Sequence, residues 1–151
     1  VLQVPLVHLD PDLDLPAYAR EGDAGADLVA RDEHELAPGG GRAKVSTGVS
    51  IAVPPGYAGF VLPRSGLALR HGVTCLNTPG LIDAGYRGEL QVLLVNTDPA
   101  EAFTVHRGDR IAQLVIMKVE HAAFDVVEAH DATDRGEGGW GSTGGVRRPG
   151  A

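Results

Sequence analysis

Sulfur is nearly absent from this chain: Cys75 and one methionine are all it holds. One cysteine excludes an intrachain disulfide, and its place in Val73-Thr74-Cys75-Leu76 reads as a small buried residue rather than a nucleophile. Six histidines stand at 8, 34, 71, 106, 121 and 130, but none pair at helical ligand spacing and no cysteine cluster joins them, which argues against a structural zinc site. No apolar run approaches the ~20 residues of a membrane-spanning helix. The opening Val1-Leu2-Gln3-Val4-Pro5 lacks the basic start and long apolar core of a signal peptide, so a cytoplasmic location and no membrane contact are expected. Basic residues are too few for a general nucleic-acid binder: the formal net charge is −7. That balance still allows a small anion, held by a few local arginines, backbone N–H groups or a metal ion. No G-x-S-x-G or Walker A sequence is present.

Helical periodicity is also scarce. Short apolar or alternating runs recur instead, broken by Gly, Pro, Asp and Asn. Strands are expected at 4–9, 27–30, 43–53, 57–63, 90–96, 103–105, 110–119 and 124–128, which together indicate an all-β barrel or sandwich. One short helix is expected over 66–70, capped by Ser65. The loop 38–41 reads as a hairpin connection. A single domain of 151 residues can bury ~68–70% of its unfolded surface without a metal or disulfide. The tail differs. From Asp131 on no three apolar residues adjoin, and seven of the 21 glycines fall between Gly136 and Gly150. This composition cannot build a core, yet it holds Trp140, the only tryptophan, which points to a segment that orders over a ligand.

Several segments carry chemistry. In Pro79-Gly80-Leu81-Ile82-Asp83-Ala84-Gly85-Tyr86-Arg87-Gly88 a carboxylate and a ring stand three residues apart on a glycine-flanked turn, a water activator beside a substrate platform or, more plainly, a turn-forming Asp. Pro63-Arg64-Ser65-Gly66 leads from a strand into the short helix, where Arg, Ser and free N–H groups suit an anion or simply a cap. Ala24-Gly25-Ala26-Asp27-Leu28 puts an Asp at a strand start. In Arg107-Gly108-Asp109-Arg110-Ile111-Ala112-Gln113, Asp109 and Arg110 read as turn and rim charges. Gln113 shares the face of Ile111 and Val115 if the strand is regular, and a glutamine there needs a partner. The stretch Gly136-Glu137-Gly138-Gly139-Trp140-Gly141 matches GxGxxG, but without a preceding strand or following helix the dinucleotide reading fails. Arg135, Ser142 and Thr143 flank it with a phosphate-cradling composition.

Taken in order, from residue 24 to 144, these five segments resemble the five motifs of the trimeric dUTPases, the deoxyuridine triphosphate nucleotidohydrolases. The resemblance implies a jelly-roll-like β-barrel over residues 1–130 and a glycine-rich C-terminal arm over 131–151. It implies a homotrimer whose sites lie between subunits, the arm of one closing the site of another. The implied reaction is dUTP plus water to dUMP and pyrophosphate, with Mg2+ on the triphosphate; this would keep uracil out of DNA and supply dUMP for thymidylate synthesis. By position, Asp83 matches the general base and Tyr86 the ring under the deoxyribose. Asn77 resembles the uracil reader, with the backbone of Gly80, Leu81 and Ile82 beside it pairing with the base edge in a hairpin. Gln91, in that hairpin's return strand, takes a backbone role. Arg64, Ser65 and Gly66 match the phosphate loop, Gln113 a phosphate-side or metal-water contact, and Asp27 the acid that holds metal-bound waters. Arg135, Ser142 and Thr143 match the arm's γ-phosphate grip, Gly141 is a further substrate-binding position of the arm, and Trp140, also substrate-binding, stands where the family more often has phenylalanine. A dCTP deaminase of the same superfamily and a noncatalytic nucleotide sensor are the competing readings.

Overall fold

The computed structural model describes residues 1–139. Val1–His121 form one compact unit, and the chain from Ala122 is a second. The first unit runs β1 (Leu6–His8), β2 (Ala26–Val29), β3 (His34–Leu36), β4 (Arg42–Ile51), β5 (Tyr57–Pro63), α1 (Ser65–His71), β6 (Val73–Cys75), β7 (Gly80–Ile82), β8 (Glu89–Asn96), β9 (Phe103–Val105) and β10 (Arg110–Lys118). Two four-stranded sheets, ordered β1-β4-β8-β6 and β2-β10-β5-β7, and a ribbon β3-β9 are antiparallel throughout. From β4 to β8 each successive strand changes sheet. This weave is the expected all-β, jelly-roll-like barrel.

Alternation explains the core. In β8, Leu90, Val92 and Leu94 point inward at 1% exposure or less, while Gln91 and Leu93 point out. They meet Val45 and Val49 of β4, Leu28 of β2, and Ile111 and Leu114 of β10. Each such side chain stabilises by ~1.5–3 kcal/mol on burial. The end of β8 is fixed by fully buried Asn96, whose amide nitrogen donates to Leu36 O (3.1 Å) and Glu101 O (2.8 Å) and whose amide oxygen accepts the Asp98 N–H (3.0 Å). A buried amide with all these partners costs little and pins the chain in one register.

Four local expectations are corrected. Residues 124–128 form no strand; Phe124 and Val126 are fully exposed there, and alternation alone supplies no ladder partner. The loop 38–41 joins no hairpin, because β3 pairs with β9; its Gly39 and Gly40 N–H groups donate to Asp98 O (2.6 Å) and Asn96 O (2.8 Å) at the end of β8. Ser65 is the first residue of α1 rather than its cap. Arg64 is the cap, in extended conformation and without a side-chain cap bond. A register shift between Arg110 and Ala112 takes Ile111 off the Gln113 face, so Ile111 and Ala112 are both buried while Gln113 is half-buried. Strands β3, β6 and β7 are three residues each, too short to show alternation in the sequence.

Candidate active site

The turn after β7 is built from its own backbone. Tyr86 N–H donates to Asp83 O (3.0 Å), and the Arg87 guanidinium caps Ala84 O and Tyr86 O (both 2.7 Å). The Tyr86 hydroxyl donates to Glu89 O (2.9 Å). Gly88 lies beneath that ring; a Cβ there would overlap the Tyr86 hydroxyl. The turn is not a hairpin, which corrects the expectation: β7 pairs with β5, and β8 pairs with β4 and β6. It crosses from one sheet to the other, and a groove opens at that seam.

Asn77, Leu81, Ile82, Asp83, Tyr86 and Gln91 line this groove of ≈ 300 Å³ together with Lys44 and Leu93. A smaller recess beneath it adds Gly80, Val61 and Cys75. The Thr78–Pro79 peptide that precedes Gly80 is cis. Gln91 is steered by Ser46, whose hydroxyl accepts its amide N–H at 3.2 Å. Lys44 escaped the sequence reading because it lies in another strand, β4, opposite Leu93 of β8. It is a cation facing the same groove as Asp83.

A second cluster forms where β2, β10 and β5 run side by side. Asp27 and Gln113 are register partners, and Gln113 faces Leu62 on its other side. Gln113 folds over Gly25: a Cβ there would stand 2.5 Å from the amide oxygen, so any other residue would make the Gln113 side chain shift. The Asp27 carboxylate holds two guanidiniums, Arg64 Nε at 3.2 Å and Arg110 Nη1 at 3.3 Å. Arg64 also donates to Arg110 O (3.3 Å). Arg110 is thus more than a rim charge. In α1, Arg70 bends back over Gly66, its Nη2 2.9 Å from where a Cβ would stand. The start of α1 therefore gathers Arg64, Arg70, and the N–H groups of Ser65 and Gly66 left free by a first helical turn. Arg70 was invisible as a site residue because only the fold of its own side chain brings it back.

The two clusters share no lining residue. Gly59 pairs with Ile82 and Val61 with Gly80, so β7 runs away from Arg64 as it approaches Asp83. Arg64 stands five positions on from Gly59, just past the end of β5, roughly 16 Å along an extended chain. Arg135 belongs to the second unit, where its Nε donates to Gly138 O (2.8 Å). Trp140, Gly141, Ser142 and Thr143 lie outside the described residues.

Comparison with known proteins agrees with the strand order and the motifs. The family model of dUTPase matches residues 12–144. The chain belongs to the dUTPase family. It is 60% identical over 144 residues to the deoxyuridine 5'-triphosphate nucleotidohydrolase of Thermobifida fusca (strain YX), covering 95% of this chain and 80% of that one. It is 54% identical over 145 residues to the enzyme of the same name from Mycobacterium tuberculosis (strain ATCC 25177 / H37Ra), covering 93% and 94%. Among solved structures, the Staphylococcus bacteriophage 80alpha dUTPase with dUpNHpp superposes with a TM-score of 0.86 at 27% identity, over 95% of this chain and 99% of that one.

As a dUTPase-family member the chain is a hydrolase, and its donor set bears on how a metal fits. Among the described residues no three His, Cys, Asp or Glu side chains converge to cage an ion. Asp27 spends one oxygen on each of two arginines, yet a carboxylate has about four lone-pair sites, so it keeps room to accept from water. That chemistry fits a hard cation such as magnesium held partly through waters. Among the described residues no helix is long and apolar enough to cross a membrane.

Proposed function

We propose that this chain hydrolyses dUTP to dUMP and pyrophosphate. The observation that carries the reading is the groove that gathers Asn77, Asp83, Tyr86 and Gln91 from one turn and its flanking strands. Asp83 takes a proton from a bound water as the water oxygen bonds to the α-phosphorus. The bond from that phosphorus to the bridging oxygen breaks, and pyrophosphate leaves. Asn77 and the Gly80–Ile82 backbone read the uracil edge, and the Tyr86 ring lies under the deoxyribose, where a 2′-hydroxyl has no room. In the 80alpha phage dUTPase, variants at an aspartate and at a tyrosine three residues on were both solved with dUpNHpp. Asp83 and Tyr86 have that same spacing.

Arg64, Ser65, Gly66 and Gln113 hold the phosphates, with Asp27 orienting Arg64 and accepting from metal-bound waters. Magnesium on the triphosphate supplies charge neutralisation. Little covalent work falls to the protein in such a transfer, so convergence of local cations allows an acidic chain to bind a polyanion. The residues of one site must meet around one triphosphate, but Ile82, next to Asp83, pairs with Gly59, roughly 16 Å of extended chain from Arg64. This supports a homotrimer in which the Asp83 groove of one copy faces the Arg64 cluster of the next. Residues 131–151, including Arg135, Trp140, Gly141, Ser142 and Thr143, form the arm that closes the site, Trp140 stacking on uracil.

A panel of dUTP, dTTP, UTP and dCTP with Mg2+ tests the reading. Pyrophosphate from dUTP, with far less from the others, is expected. Ammonia from dCTP, or dUTP bound but left whole, overturns it in favour of a deaminase or a sensor.

A further inference from the structure

We propose that Glu89, backed by Arg31 and Asp10, is a positioning residue for the Tyr86 ring and so sets the choice between deoxyribose and ribose nucleotides. The inference rests on the reading of Asp83 and Tyr86 above. Tyr86 is 42% exposed, and a ring with that much freedom ordinarily samples several rotamers. A ring that rejects one extra hydroxyl must instead be held still, because small misplacements cost large factors in discrimination.

The structure shows what holds it. The hydroxyl of Tyr86 ends on the Glu89 carbonyl (2.9 Å), and the ring rests on Gly88, where any Cβ would push it aside. The Glu89 side chain then anchors that carbonyl from behind. Its Oε1 accepts the Gly48 N–H at 2.8 Å, at the register shift of β4 where Gly48 takes φ +73°, and Arg31 Nη1 at 3.4 Å. Arg31 Nε donates to Asp10 Oδ2 (3.2 Å). Arg107 grips both oxygens of Asp10, at 2.7 and 2.9 Å, and also donates to Arg31 O (2.8 Å). Charges alternate along this chain of side chains, from Glu89 to Arg31 to Asp10 to Arg107. None of the four lines the groove, and the Glu89 and Asp10 side chains keep only 20% and 14% of their exposure. Glu89 therefore acts through Tyr86 and not on the nucleotide.

The test is the ratio of kcat/KM for dUTP over UTP in Glu89→Ala, Tyr86→Phe and the double variant, with Tm measured alongside. Glu89→Ala should lower the ratio about three- to tenfold, the span of one net hydrogen bond. Tyr86→Phe should lower it comparably, and the double variant by no more than the larger single, since both act on one bond. Gly88→Ala, which displaces the ring with Glu89 intact, should lower the ratio as well. If Glu89→Ala fails to fold, Glu89→Gln carries the same comparison: it can still accept the Gly48 N–H but loses its charge toward Arg31. Equal losses for both nucleotides, or full additivity with Tyr86→Phe, overturns the positioning role. A native chain that leaves dUTP whole defeats the reading beneath it; a native chain that discriminates, with variants that keep its ratio, defeats this inference alone.

Discussion

Asp27 stands in β2 and Asp83 directly after β7, the two edge strands of one sheet, yet their surroundings differ in kind. Asp83 is exposed on a turn held by backbone bonds, and among the described residues it makes no ion pair. Asp27 keeps 16% of its side-chain exposure and is bound on both oxygens by arginines from two other elements. A carboxylate left free on a rigid support can take a proton from water. One held on both oxygens by guanidiniums organises cations instead. On the proposed reading, the groove supplies the reacting group and the strand cluster the charge that a triphosphate needs.

The largest test of that division is Asp83→Asn. Turnover of dUTP should fall by ~10²–10⁴-fold while nucleotide binding, followed by calorimetry with dUpNHpp, persists. Near-native kcat would show that Asp83 is only a turn former. Asp27→Asn should act on the other side of the comparison. It keeps the shape but releases Arg64 and Arg110, so KM should rise by roughly tenfold with a smaller change in kcat, as expected when charge-assisted bonds are lost. A kcat loss as deep as that of Asp83→Asn would erase the distinction.

A smaller effect concerns the support of the groove. The Arg107 guanidinium bonded to Asp10 holds that carboxyl down at about 2, below its ordinary 3.8. Its folded value is depressed, so its contribution to stability is complete above about pH 4 and is lost as pH falls toward 2. Asp10→Asn should lower the denaturant midpoint at pH 7 and flatten its decline between pH 4 and 2; an unchanged midpoint at pH 7 would remove Asp10 from the frame. The smallest effect is at Cys75, in the recess under Asn77 and Gly80. Burial pushes its thiol up to about 11. Aromatic disulfide reagents at pH 8 should leave it unreacted in the folded protein and modify it fully in urea. Rapid labelling of the folded chain would mean that the floor of the groove opens.

What the sequence disclosed follows the same division. The groove is a local object: spacing put Asp83 and Tyr86 on one turn, and the family resemblance added Asn77, Leu81, Ile82 and Gln91 from its flanks. The strand cluster is nonlocal. Asp27 and Gln113 stand 86 positions apart and meet only through register, and motif resemblance, not periodicity, named them. Arg70 and Lys44 belong to no motif and emerged only from the folded geometry. The bulge at Arg110–Ala112 defeated a face assignment that assumed a regular strand. Short strands such as β6 and β7 take their conformation from neighbours, and no local pattern announces them.

Mixing of two inactive variants tests most directly whether one site is assembled from two copies. Asp83→Asn and Arg64→Ala chains, unfolded and refolded together in equal amounts, form random hybrids. If the groove of one copy works with the Arg64 cluster of the next, about a quarter of the sites carry both native clusters, and about a quarter of native dUTP turnover should return. No recovery above the two variants refolded separately, in hybrids shown to have formed, would contradict the account.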